Sequence, residues 1–304
     1  MHRDRTNNKQ TATRLLLFIC ALLLPSCTPN LKEKTQEPIE VGEAIALSAK
    51  YLADQIKDDG MFVYSRNIDP KITPKKEYNI LRHAGAIYAL SAYDETEPDK
   101  DLQSKLKLAG RYLQKDAIAP VPGEERMLGI WSKPEVNRTA DSPRVKLGGN
   151  GLGLVALMSI ERFEPGFTPI EDLRALGQFI VSMQKEDGSF YSRYIPDEGG
   201  RNDKWTSLFY PGEAALGLVM LYEKDRDPKW LESANKTLEY LALTRKDLPR
   251  VPADHWALIA TEKILPFKQS ELSPGSRNLL KNHAVQICEE LLRQQINKPD
   301  DPDL

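Results

Sequence analysis

Four short apolar segments of this chain each begin on a polar residue able to do chemistry. His83 precedes Ala84–Tyr88, Asn150 precedes Gly151–Val155, and Glu213 precedes Ala214–Leu218. His255, with Asp254 beside it, precedes Trp256–Ala260. Aligning the apolar stripes puts these residues in register. If the segments are helices running the same way, their first turns share one mouth, whose positive helix ends favour an anionic ligand. Glu213 and Asp254 would then stand on neighbouring helices whose axes lie about 8–10 Å apart. Inverting glycoside hydrolysis needs carboxylates about 6.5–9.5 Å apart, so this pair is the expected acid and base, with His83 and His255 completing the catalytic set. A proton-abstraction chemistry would instead take His83 or Tyr194 as base and Arg193 to hold a uronate carboxylate. The same residues also have a plainer use. Asn, Asp and Glu satisfy free N–H groups in a first helical turn.

The loops feeding that mouth carry the expected substrate-binding side chains. Tyr78, Asn79 and Arg82 lead into His83, Arg193 and Tyr194 follow one another, and Trp205 and Tyr210 precede Glu213. Trp256 and Asn150 complete the set. Aromatic faces and guanidinium forks suit sugar rings and carboxylates. No metal or cofactor is implied: of three cysteines, Cys20 and Cys27 lie near the start, and Cys288 alone cannot supply a multi-cysteine site.

The elements that must hold these residues are helices of two kinds. Amphipathic ones, with apolar residues at three- and four-residue steps, cover Glu43–Gln55, Leu106–Gln114, Leu173–Gln184, Trp230–Leu241 and Asn282–Gln294. Segments rich in small and apolar residues cover Leu81–Leu90, Gly149–Met158, Gly212–Leu221 and Asp254–Thr261, and such helices are buried on most sides. Gly148–Gly153 reads as a helix start beside a crowded axis. Tyr51, Tyr112, Phe179 and Tyr240 recur near every sixty residues, the mark of a repeat architecture. Strand-like segments are few, Met61–Tyr64 and Ser189–Ser192, both in hairpin turns.

The chain opens with Arg3, Arg5, Lys9 and Arg14, then the apolar run Leu15–Leu24, then Leu24-Pro25-Ser26-Cys27. Basic region, short apolar region and small residue before a cysteine form an export signal. The segment resembles a bacterial lipobox, which implies a diacylated Cys27 as the mature N-terminus and a cell-envelope address tethered to membrane. Thr28 resembles an outer-membrane sorting signal, facing the periplasm in a host with two membranes. The expected organisation is a signal peptide over 1–26, a polar, proline-bearing tether over 27–40, one domain over 41–296, and a disordered acidic tail over 297–304. A net charge of −2 argues against a nucleic-acid partner.

Gln184–Phe190 resembles the Q-x3-G-x-W turn of the terpenoid-cyclase-like toroids, with Phe190 in the tryptophan place, and Gln55–Gly60 is a weaker copy. The resemblance implies an all-α fold, an α/α toroid of repeated helical hairpins with short β-hairpin-like loops. About nine helices are read where a closed six-hairpin ring has twelve, so the ring is open or the chain stops short of family length. The D-x-D-D acid of the cyclases and the cysteine ligands of the zinc toroids are absent. Carbohydrate-active toroids make the expected function action on poly- or oligosaccharide, as an inverting glycoside hydrolase, uronate lyase or epimerase. The alternative is a non-catalytic glycan-binding or scaffold lipoprotein.

Overall fold

The computed structural model describes residues 40–74, 77–134 and 142–295. Nine α-helices occur among them: α1 (Val41–Ala53), α2 (Ile80–Thr96), α3 (Lys100–Tyr112), α4 (Leu147–Glu161), α5 (Ile170–Ser182), α6 (Tyr210–Asp225), α7 (Pro228–Arg245), α8 (His255–Ile264) and α9 (Pro274–Arg293). Asn79, Asp99, Asp227, Asp254 and Ser273 cap α2, α3, α7, α8 and α9 with side-chain oxygens, each satisfying first-turn N–H groups that have no partner within the helix. The predicted signal, Cys27, the tether up to residue 39, the last residue of the predicted domain and the predicted tail over 297–304 lie outside the described residues.

Helices α2, α4, α6 and α8 form an inner row, joined at their amino ends by glycine. A Cβ on Gly151 would stand 2.7 Å from the backbone of Glu213 and Ala214, and one on Gly212 would stand 2.4 Å from Ala257 N. Only the missing side chain lets these backbones meet. Leu81 at the start of α2 rests on Gly149 at the start of α4, and Tyr88 of α2 meets Trp256 of α8. Every residue of α4 is buried, which is why its sequence shows no polar face. The outer helices cover this row with residues such as Trp230, Phe179 and Leu106.

The all-α expectation is corrected by a five-stranded antiparallel sheet in the order β1-β2-β3-β4-β5. The strands are β1 (Ile118–Val121), β2 (Glu124–Ser132), β3 (Arg144–Lys146), β4 (Arg193–Ile195) and β5 (Gly200–Asn202), so the fold is mixed α and β. Periodicity misses it for two reasons. The end of β2, Met127-Leu-Gly-Ile-Trp131, is continuously apolar instead of alternating, and β3 to β5 are three residues each, too short to show a period. Met61–Tyr64 and Ser189–Ser192, read as strand-like, make only the isolated bridges Ile56–Phe62 and Gln184–Phe190.

Those two turns are true structural copies. Gly60 and Gly188 both adopt positive φ, +83° and +93°, and both press on an outer helix: Gly60 on Leu108 and Tyr112 of α3, Gly188 on Lys236 and Tyr240 of α7. Gln184 donates to Ser233 O and to Thr237 Oγ1 of the same helix. A Cβ on Gly188 would stand 2.6 Å from Lys236 O. Gly188→Ala should therefore destabilise the fold by roughly 3 kcal/mol through backbone strain and collision. A lower urea midpoint with an unchanged far-ultraviolet dichroism spectrum is the expected observation.

Candidate functional site

The polar residues at the inner-helix starts do share one pole, but they divide into two groups with different environments. The first group is a closed cluster under α2. His83 is 2% exposed; its Nε2–H donates to Ala109 O at 2.9 Å and its Nδ1 accepts from the Tyr78 hydroxyl at 2.7 Å. Tyr78 in turn accepts the Phe62 N–H. Phe62 and Tyr112 pack edge-on or tilted against the imidazole. Burial holds His83 neutral, with its pKa lowered to about 4. Both ring nitrogens are engaged, so His83 pins α2 to α3. Asn79 is the α2 cap. Arg82 donates to the Tyr64 hydroxyl and lies over that ring.

Asn150 is likewise engaged on both sides. Its Oδ1 accepts from Ile130 N of β2 and its Nδ2 donates to Leu176 O of α5. This buried amide fastens the sheet to the helices. Asp254 is wholly buried: Oδ2 accepts from Arg245 at 2.9 Å, and Oδ1 caps Ala257 N. Burial raises its pKa despite the opposing pull of the guanidinium.

The second group opens around β4 and the start of α6. Arg193 lies over the ring of Trp205 at 4.4 Å, and Trp205 meets Tyr210 edge-on at 5.6 Å. Trp205 is 44% exposed. Register places Lys146 directly opposite Arg193, while Tyr194 pairs with Val145 on the other face. Arg144, Lys146 and Arg193 thus share one face. Among the described residues none of the three has a carboxylate within ion-pair distance, and Arg193 Nε is buried with no hydrogen-bond partner. Burial first, then Arg193 and Arg144, lowers the Lys146 pKa. Tyr194 points its ring at Phe179 and its hydroxyl at Pro122 O, away from the cationic face.

No protein-family model matches the chain, and no curated protein matches it either. Its chemistry therefore rests on this geometry.

Glu213 lies behind Tyr210 in the first turn of α6, 5% exposed, with Oε2 buried and unpartnered. Burial, reinforced by nearby Asp254, raises its pKa to about 8, so the carboxyl carries a proton at neutral pH. Gly148 makes room for it, since a Cβ there would stand 2.0 Å from Glu213 Oε2 and 2.3 Å from the Tyr210 ring. His255 stacks on Phe209 and Trp256 at the start of α8, and burial lowers its pKa. The structure thus brings together Arg193, Trp205, Tyr210 and Glu213, with Asp254 deeper behind them. It sets His83, Tyr78, Asn79 and Arg82 apart as a packing unit. Two cations of the site, Arg144 and Lys146, were not among the sequence candidates. No local signal marks them, because Arg-Val-Lys is a three-residue strand, too short for its alternation to be told from chance. Among the described residues no group of three or more His, Cys, Asp and Glu is placed to hold a metal ion.

Proposed function

We propose that this is a lipid-anchored envelope protein that binds an acidic carbohydrate, without cleaving it, on the strand face carrying Arg144, Lys146 and Arg193. The observation that carries the reading is that face itself: three cations with no acidic partner among the described residues, ending in a guanidinium stacked on an exposed tryptophan. Desolvated, unpaired cations are costly unless an anion arrives, and a guanidinium fork matches a carboxylate in two parallel hydrogen bonds. Trp205 offers the flat apolar face on which a sugar ring stacks. The export leader supports the address.

The hydrolase reading needs two working carboxylates. Glu213 has the raised pKa of a general acid, but both oxygens of Asp254 are occupied, which is why binding is favoured over cleavage. Titration calorimetry of the full chain in detergent tests the choice. Octagalacturonate should bind with an affinity that falls as salt is raised, and neutral maltooctaose should not. Arg193→Ala and Trp205→Ala should each weaken binding about tenfold, or ~1.4 kcal/mol. Equal binding of the neutral octamer would refute the acidic ligand. New reducing ends or unsaturated products in the same samples would restore an enzyme.

A further inference from the structure

A groove that shares no residue with the cationic face opens between the first copied turn and the end of α3. The space between its walls is about 460 Å³, within the range of small-molecule clefts, about 300–1,000 Å³. The turn brings Asp58 and Asp59 to one wall, and α3 brings Arg111 and Tyr112 to the other. Both walls are fixed in place. Gly60 seats the turn against α3, since a Cβ there would stand 2.3 Å from Leu108 O, and Asp59 Oδ1 accepts from Met61 N at 2.9 Å. Beyond Tyr112 the helix passes into a single π-helical turn, Leu113–Ala117; such turns are rare and gather at functional sites. That turn adds Lys115 and Asp116 to the groove. The Tyr112 hydroxyl has its pKa pushed up to about 12, by burial first and then by Asp116 and Asp59. Carboxylates from both walls therefore lie close to one phenol.

The charges on these walls select the ligand. Asp59 is already paired with Lys57 at 3.0 Å. Among the described residues Asp58, Asp116, Arg111 and Lys115 form no ion pair, and Arg111 rests on the Phe167 ring at 5.6 Å. Two carboxylates and two cations thus face one space, balanced in sign and too far apart to meet. A lone ion entering it meets repulsion as well as attraction, whereas a molecule charged oppositely at its two ends is attracted at both. An ammonium donates three hydrogen bonds, which suits carboxylates beside a phenol oxygen, and a carboxylate suits a guanidinium fork. Groups that miss direct contact need a ligand longer than one amino acid. A dipeptide separates its ends by about 7 Å, at about 3.3–3.6 Å per residue.

We infer that this groove binds a short peptide by its two free ends, the ammonium on Asp58 and Asp116 and the carboxylate on Arg111 and Lys115. The site is independent of the acidic-carbohydrate reading and stands or falls without it. Titration calorimetry of the full chain in detergent, at about pH 7 where both peptide ends are charged, compares three probes. These are alanyl-alanine, its N-acetyl derivative and its C-terminal amide. Alanyl-alanine should bind saturably, and each capped analogue should bind at least about tenfold more weakly, having lost one charge-assisted end. Asp116→Asn and Arg111→Gln should each weaken alanyl-alanine about tenfold. Both side chains lie at the surface of the groove, so the urea midpoint of each variant should stay at the wild-type value. Absence of saturable binding by alanyl-alanine to the wild type would overturn the site. Capped analogues that bind as tightly as the free dipeptide would overturn recognition of its ends. Binding undiminished in both variants would show that the peptide sits elsewhere.

Discussion

Arg245→Met should be the most damaging single replacement of a charged side chain in this protein, lowering stability by about 3–5 kcal/mol. Arg245 of α7 is almost fully buried and holds the wholly buried Asp254 at 2.9 Å. Removing the guanidinium leaves a carboxyl with no counter-charge, next to Glu213, whose own proton is held first by burial and then by the nearness of Asp254. Methionine keeps the volume, so the loss reports the charge and not a cavity. For a domain of this size that loss is a fall of roughly 10 °C in melting temperature. Asp254→Asn in the Arg245→Met background should recover a large part of it, because an asparagine still caps α8 and needs no cation. A double variant as unstable as Arg245→Met alone would show that the ion pair is not what holds α7 to α8.

The second large effect is on pH. His83 and His283 are buried and neutral, each with its pKa lowered to about 4 by desolvation. His283 of α9 lies near Arg245 of α7, and both its ring nitrogens lack a hydrogen-bond partner. An unfolded histidine titrates near 6.5. The unfolded chain therefore takes up these two protons first, and stability falls as pH drops from about 6.5 towards 4. Glu213 works in the opposite sense. Its folded pKa is about 8 and an unfolded glutamate titrates near 4.3, so the folded state keeps a proton that the unfolded chain gives up. That contribution is complete below about 4.3, declines as pH rises, and is gone once pH has passed through 8. Between 4.3 and 6.5 two imidazoles outweigh one carboxyl. Maximum stability is thus expected near pH 6.5, with a loss of about 2 kcal/mol by pH 8. Glu213→Gln should flatten the alkaline limb and leave the acid limb alone, as followed by urea unfolding at pH 5, 6.5 and 8. An alkaline limb unchanged by that substitution would mean the carboxyl is solvated or paired in solution.

Local pattern carried most of the helical part. Three- and four-residue apolar steps located five of the nine helices found among the described residues, and richness in small and apolar residues located the other four, while Gly60 and Gly188 fall in the two copied turns. The gathering of four helix starts at one pole followed from the sequence only on the condition that the four segments run the same way; close approach at Gly149, Gly151 and Gly212 brings those starts together. The sheet was not readable, and for a physical reason. β3 and β4 pair Lys146 with Arg193 across two intervening helices, and three-residue strands carry no period of their own. The cationic face exists only through that pairing, so the sequence could name Arg193 but not its companions.

Residue types set what could titrate, stack or bind: His83, Asn150, Glu213 and Asp254 at matching helix starts. Folding decided which of them remain free to act. His83, Asn150 and Asp254 each found hydrogen-bond partners on other elements, Ala109, Ile130 with Leu176, and Arg245, because a buried polar group left unpaired costs more than most single contacts return. Glu213, Ser132 and Arg193 kept an unpartnered buried atom. Which groups are satisfied depends on partners distant in the chain, and only the three-dimensional packing chooses those.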